Sequence, residues 1–115
     1  MYTEERKVVH NLLRKFNVTS KYRGYFHVIE ATMMYVENHD RYLMITKEVY
    51  PTVAKKLDDT PYCVEHNIRC VIARCWKNNK ELLQSIANYP LPERPSNSEF
   101  LDILAYYVSS QVNHE

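Results

Sequence analysis

Tyr62, Glu65, His66, Arg69 and Lys77 recur at intervals that gather them on one side of a helix turning about 100° per residue. That side carries a phenol, a carboxylate, an imidazole, a guanidinium and an ammonium. The set suits recognition by hydrogen bonding rather than bond making. A guanidinium can grip the two acceptors of a guanine edge with parallel donors, and a carboxylate can accept from the cytosine amino group. Lysines meet phosphates as point charges. A second chemistry is written over the same turns: Cys63, His66 and Cys70 follow C-x2-H-x3-C and could offer three zinc ligands. Zinc sites that hold structure draw four ligands, from two separated pairs. No fourth ligand is in view, so no metal or other cofactor is expected and the thiols read as free. No nucleophile motif, phosphate-cradling glycine loop or paired-carboxylate signature occurs, which argues against an enzyme and against a small-molecule substrate.

The elements that must hold this face are a short helix, a polar turn and a longer helix. Pro51 suits a first helical turn, and Val53, Ala54 and Leu57 then share one face. Asp58-Asp59 ends that helix. Thr60 is a good N-cap with Pro61 behind it, and from there Val64, Ile68, Val71, Ile72 and Cys75 form an inward stripe. Residues 50–77 thus have the plan of a helix-turn-helix, whose second helix meets base edges with its N-terminal residues. Tyr62, Glu65, His66 and Arg69 are the candidate base-reading residues. Lys55, Lys56, Thr60 and Lys77 are the candidate phosphate contacts. Two residues fit the plan less well: Asp58 stands where glycine is common, and Asn67 where an apolar residue is usual. An ordinary antiparallel helix pair would leave the same periodicity.

Ordered motifs carry a more specific signal. Y-P-T-V-A-K-K at 50–56, T-x-x-x-V-E-x-x-I-R-x-x-I-x-x-x-W at 60–76 and R-P-S-N-S-E-F-L at 94–101 together resemble the C-terminal DNA-binding effector domain of the sporulation response regulator of spore-forming Firmicutes. K-Y-R-G-Y-F-H-V-I-E-A-T-M-M-Y-V at 21–36 is similar to that domain's second helix. The resemblance runs from Asn11 to Val108. It implies an all-helical domain of about six helices that binds a short asymmetric DNA box, and that dimerises or stacks in tandem through its last helix. Glu65 and Arg69 match the family's recognition helix. His66 and Cys70 stand where the family has Arg and His, and Tyr62-Cys63 replaces its Ser-Arg. An imidazole offers fewer donors than a guanidinium, so a different box is expected. The family's full-length members carry an N-terminal receiver domain, which this sequence does not contain; it is expected to be a free-standing effector domain.

Composition supports the helical reading. The 115 residues suffice for one domain, expected over 1–115, and 45% hydrophobic residues argue against disorder. A single glycine disfavours a β-rich fold full of tight turns. No signal peptide or membrane-length apolar run is evident, and Cys63, Cys70 and Cys75 lie on one helix, so a reducing cytoplasm is expected. Net charge is only +1, yet residues 1–80 hold 14 of the 15 Lys and Arg. A basic front would orient the molecule on a phosphate backbone.

Along the rest of the chain, Thr3 caps a first helix with Val8, Val9, Leu12, Leu13 and Phe16 inward. Tyr25, Val28, Ile29, Thr32, Met33 and Val36 mark a second helix, with His27 and His39 placed at the surface or its boundary. A segment from about Asp40 to Leu57 reads as one bent helix or two short ones. Asn78-Asn79 stops the recognition helix behind a core Trp76, and Leu82, Leu83 and Ile86 make a short helix. Three prolines follow, and Ser96-Asn97-Ser98-Glu99 is a capping box for a final helix. Its Phe100, Leu101, Ile103, Leu104, Tyr107 and Val108 are too many for one narrow stripe. Phe100, Leu104, Tyr107 and Val108 are therefore a candidate surface for a homodimer, or are wrapped by the domain itself.

The expectation is an all-α, compact bundle of about six helices containing a helix-turn-helix, binding double-stranded DNA as a sequence-specific transcription regulator. The competing class is a protein-interaction module that has lost base readout and pairs with or blocks another regulator.

Overall fold

A computed structural model describes residues 3–112. Among these residues five α-helices make up the bundle: α1 (Glu4–Lys15), α2 (Arg23–Glu37), α3 (Tyr50–Lys56), α4 (Pro61–Ala87) and α5 (Asn97–Val112), with a π-helical turn at Ile45–Val49 running into α3. Among the described residues there is no strand. The caps anticipated from sequence form. Thr3 Oγ1 accepts from the Arg6 amide at 3.2 Å and Thr60 Oγ1 from the Cys63 amide at 3.1 Å.

α2 lies at the centre and packs against each of the other four α-helices. It approaches α4 so closely that its glycine is required: a Cβ on Gly24 would lie 2.6 Å from Val71 Cγ2 and 2.7 Å from the Asn67 carbonyl oxygen. The completely buried Phe16, Val28, Val64, Ile68, Leu83 and Phe100 show that one core is drawn from α1, α2, α4 and α5.

With one glycine in the chain, other residues take the left-handed positions that terminate helices. Asn17, Asp58 and Asn88 have φ of 64°, 56° and 64°; Asn and Asp are the side chains that tolerate this region best. Asp58 therefore does the work glycine does in a typical helix-turn-helix. Behind it the Asp59 amide donates to the Ala54 carbonyl at 2.8 Å, closing the turn onto α3.

The stop expected at Asn78-Asn79 is present as a break in the long helix: Asn79 has non-helical backbone angles (φ −158°, ψ 72°), and its Oδ1 accepts from the Leu82 amide at 3.0 Å, capping a second segment that starts at once. Several other expectations are corrected. The described residues count five α-helices rather than about six, because these two segments follow one another as α4 with no loop between them. The segment before α3 becomes helical only at Ile45, not near Asp40. Half of the capping box forms: Ser96 Oγ accepts from the Glu99 amide at 3.2 Å, while the Glu99 carboxylate takes the Tyr89 hydroxyl at 2.9 Å. Trp76 is half-buried, with the Lys80 ammonium 4.9 Å from its ring centroid.

The candidate dimer surface is also corrected. Phe100, Leu104 and Val108 are 0% exposed inside the bundle, and Tyr107 is half-buried. α5 is apolar over most of its girth because α1, α2 and α4 all pack on it. Its exposed edge is made instead by Asp102, Tyr106 and Ser110.

Candidate nucleic-acid interface

The α4 helix presents its first turns because its opposite side is sealed. Val64, Ile68, Val71, Ile72 and Cys75 are all buried, as the periodicity anticipates. Burying a branched aliphatic side chain is worth about 1.5–3 kcal/mol. This stripe fixes which residues of α4 are left outside.

Tyr62, His66, Arg69 and Lys77 are exposed, Tyr62 at 75%, and Glu65 is half-buried at the edge. The outward side chains contact one another. The Tyr62 and His66 rings stack nearly parallel, 8° apart with centroids at 6.3 Å. Arg69 Nε lies 3.0 Å from Glu65 Oε2 and its Nη2 lies 3.1 Å from Oε1. The Arg69 hydrogen bonds, more than its charge alone, hold the Glu65 carboxyl below the ordinary range, and the same bonds raise the Arg69 pKa. Both therefore stay ionised across neutral pH. A third contact, 3.4 Å from Arg69 Nη2 to His66 Nδ1, joins the imidazole to the pair.

The phosphate-contact candidates differ in availability. Lys55 and Lys77 are exposed. Lys56 is committed to Glu30, 2.9 Å away, which Arg6 also grips. Burial works to raise the Glu30 pKa, but the hydrogen bonds and charges of Arg6 and Lys56 together outweigh it. The Thr60 hydroxyl is used as the α4 cap. Of the thiols, Cys63 is half-buried and Cys75 buried, where desolvation pushes its pKa up to about 12; exposed Cys70 has its sulfur 3.6 Å from His66 Nε2. Among the described residues, no three His, Cys, Asp or Glu side chains converge as metal ligands.

Two flanks border the outward face. On one side an open depression of about 710 Å³ separates Glu65 and Arg69 from the proline connector bearing Arg94. Asn97 holds that connector in place, its Nδ2 donating to Tyr50 Oη at 2.9 Å and to the Glu65 carbonyl at 3.1 Å. On the other side the segment before α2 abuts α4. The Arg74 guanidinium lies 4.2 Å from the Tyr22 ring centroid and the Lys21 ammonium 5.8 Å from it. Arg23, 63% exposed, pairs with Asp59 at 2.9 Å. Lys21, Arg23, Arg74 and Arg94 thus border the face without having been read from sequence. Arg74 lies on the helical edge next to Lys77 and could have been included by periodicity. Lys21 and Arg23 precede the start of α4 by about forty residues, and no local pattern brings them there.

No described helix is long and apolar enough to cross a membrane. A family model described as sporulation initiation factor Spo0A C terminal matches residues 9–108, nearly the whole chain.

Proposed function

We propose that this chain, which belongs to the sporulation initiation factor Spo0A C-terminal family of DNA-binding effector domains, is a sequence-specific transcription regulator that reads a short duplex box with the first turns of α4. The observation that carries this reading is the exposed cluster of Tyr62, Glu65, His66 and Arg69 at the start of α4, backed by a sealed apolar stripe. In this architecture those turns enter the major groove. Arg69 is the guanine reader, with two donors in a fixed fork; Glu65 aligns it and can accept from a neighbouring cytosine amino group. His66 and the stacked Tyr62 supplement them. Lys55, Lys77, Lys21 and Arg74 supply phosphate contacts around the groove, and these set affinity and its salt dependence rather than sequence preference. No covalent step is involved.

The decisive experiment is selection of bound duplexes from a random pool, followed by titration of the winning box against its scrambled form at fixed salt. The expected result is one enriched box and a specific affinity at least a thousandfold above the non-specific one. Equal binding to all duplexes would remove the regulator reading and leave a protein-interaction module in its place.

A further inference from the structure

His27, on α2, is 1% exposed, and nothing in the proposed base reading uses it. Its Nε2 lies 3.1 Å from Asp59 Oδ2 in the turn, and its Nδ1 lies 3.4 Å from Asn67 Nδ2 on the second turn of α4. The partners assign the ring's protons. Asp59 can only accept, so Nε2 carries the hydrogen, and Nδ1 is left as the acceptor that the Asn67 amide needs. Asp59 passes the constraint onward: its Oδ1 accepts from the Thr60 amide at 2.9 Å, and Thr60 caps α4 at the Cys63 amide. Arg23 fastens the same carboxylate from outside at 3.0 Å. One buried imidazole therefore joins the central helix, the turn and the reading helix. It also accounts for Asn67, the polar residue at a place the motif usually fills with an apolar one.

We propose that His27 is a positioning residue for α4: by donating to Asp59 and accepting from Asn67 it fixes the seat of the first two turns of that helix, and with it the aim of Glu65, His66 and Arg69. The link to base reading rests on the DNA-binding assignment above; the tether itself does not. The packing of Val64 and Ile68 holds the helix on the core but is non-directional, and apolar contacts tolerate small rotations that a pair of hydrogen bonds does not. A rotation of a few degrees leaves burial nearly unchanged and displaces the tip of a long side chain such as Arg69 from a bidentate geometry.

Two variants test this in the whole chain. His27→Phe keeps a flat ring and removes both hydrogen bonds. Asn67→Leu is nearly isosteric, removes one bond and introduces a better helix former, so helix propensity works against the expected result. Amide hydrogen exchange is followed in residues 61–68 against α1 and α5, which report global opening. Exchange in 61–68 should rise at least tenfold more than in α1 and α5 in both variants, or in Asn67→Leu alone if His27→Phe does not fold. A uniform rise across all helices, or no rise, overturns the tether. The DNA arm is separate: in the folded variants discrimination between the selected box and its scrambled form should fall about fivefold or more, with the salt slope unchanged. Undiminished discrimination alongside the local rise overturns the role in aiming. If the unaltered chain shows no preferred box, the DNA assignment fails instead and the exchange result alone decides the tether.

Discussion

Arg69 grips Glu65 one helical turn away through two nearly parallel hydrogen bonds of 3.0 and 3.1 Å, at the surface of α4. The pair is ready-made rather than locked. Exposed pairs at this spacing are weak, so a guanine edge competes easily for the guanidinium. Arg69→Ala should weaken binding to the selected box roughly 5- to 150-fold and relax preference at one base pair. Titration against boxes substituted singly at each position checks this; a uniform loss at every position would reassign Arg69 to the phosphates.

Lysines should separate by their prior commitments. Lys77→Ala and Lys21→Ala should each lower the slope of log affinity against log salt by about 0.9 without changing the preferred box. Lys56→Ala should change it less, because Lys56 is already paired with Glu30 at 2.9 Å. Equal slopes for all three variants would show that the Glu30 pair dissolves on DNA.

Gly24→Ala should destabilise the bundle by about 1–3 kcal/mol or more, since overpacking of this size forces backbone to move. The added methyl would meet the Asn67 carbonyl at 2.7 Å, and a helix backbone cannot swing aside as a side chain can. Urea unfolding should show a lower midpoint at unchanged slope.

Phe100→Ala should cost about 3–5 kcal/mol and lower the thermal midpoint at every protein concentration, because the ring is 0% exposed within its own chain. If the ring served a subunit interface, the wild-type midpoint would climb with concentration and the variant's would not.

Stability should fall as pH drops through the histidine range. Burial is the largest influence on both His27 and His10 and lowers the pKa of each, with Asp59 opposing it at His27 and Arg6 and Arg14 reinforcing it at His10. A histidine whose folded pKa lies below its unfolded value of about 6.5 takes its proton more readily in the unfolded chain. Unfolding is thus favoured as pH falls below about 6.5, and stability is fully present above it. His27→Phe should flatten this dependence, leaving the His10 share. Asp59 acts lower on the scale: the Thr60 amide first, with Arg23 behind it, holds its pKa at about 2, so its contribution is present above about 3.8 and is lost as pH falls from there towards 2. Thermal midpoints measured from pH 8 to 2 should show both steps.

Much of the candidate interface was legible along the chain because it lies on one helix. Thr60-Pro61 and the Val64, Ile68, Val71, Ile72 and Cys75 spacing define a start and an inward side, and the outward side follows by geometry. The choice for Phe100, Leu104 and Val108, between a subunit surface and wrapping by the domain itself, was not legible for the converse reason. Periodicity shows that α5 has more apolar surface than one stripe, but not how many neighbours are there to cover it. His27 was placed near the surface because a single histidine on a helix gives no sign of a partner thirty residues away.

The sequence by itself determined the helices, their caps, the helix-turn-helix plan and the family, all of which depend on residues close together in the chain or on ordered motifs. Only the tertiary structure decided which polar groups are already engaged: Lys56 with Glu30, Arg23 and His27 with Asp59, Asn67 with His27. The physical reason is range. Helix propensity and capping act within about four residues, whereas a hydrogen bond between side chains is set by where the packed core brings two distant segments together, and no local spacing encodes that distance.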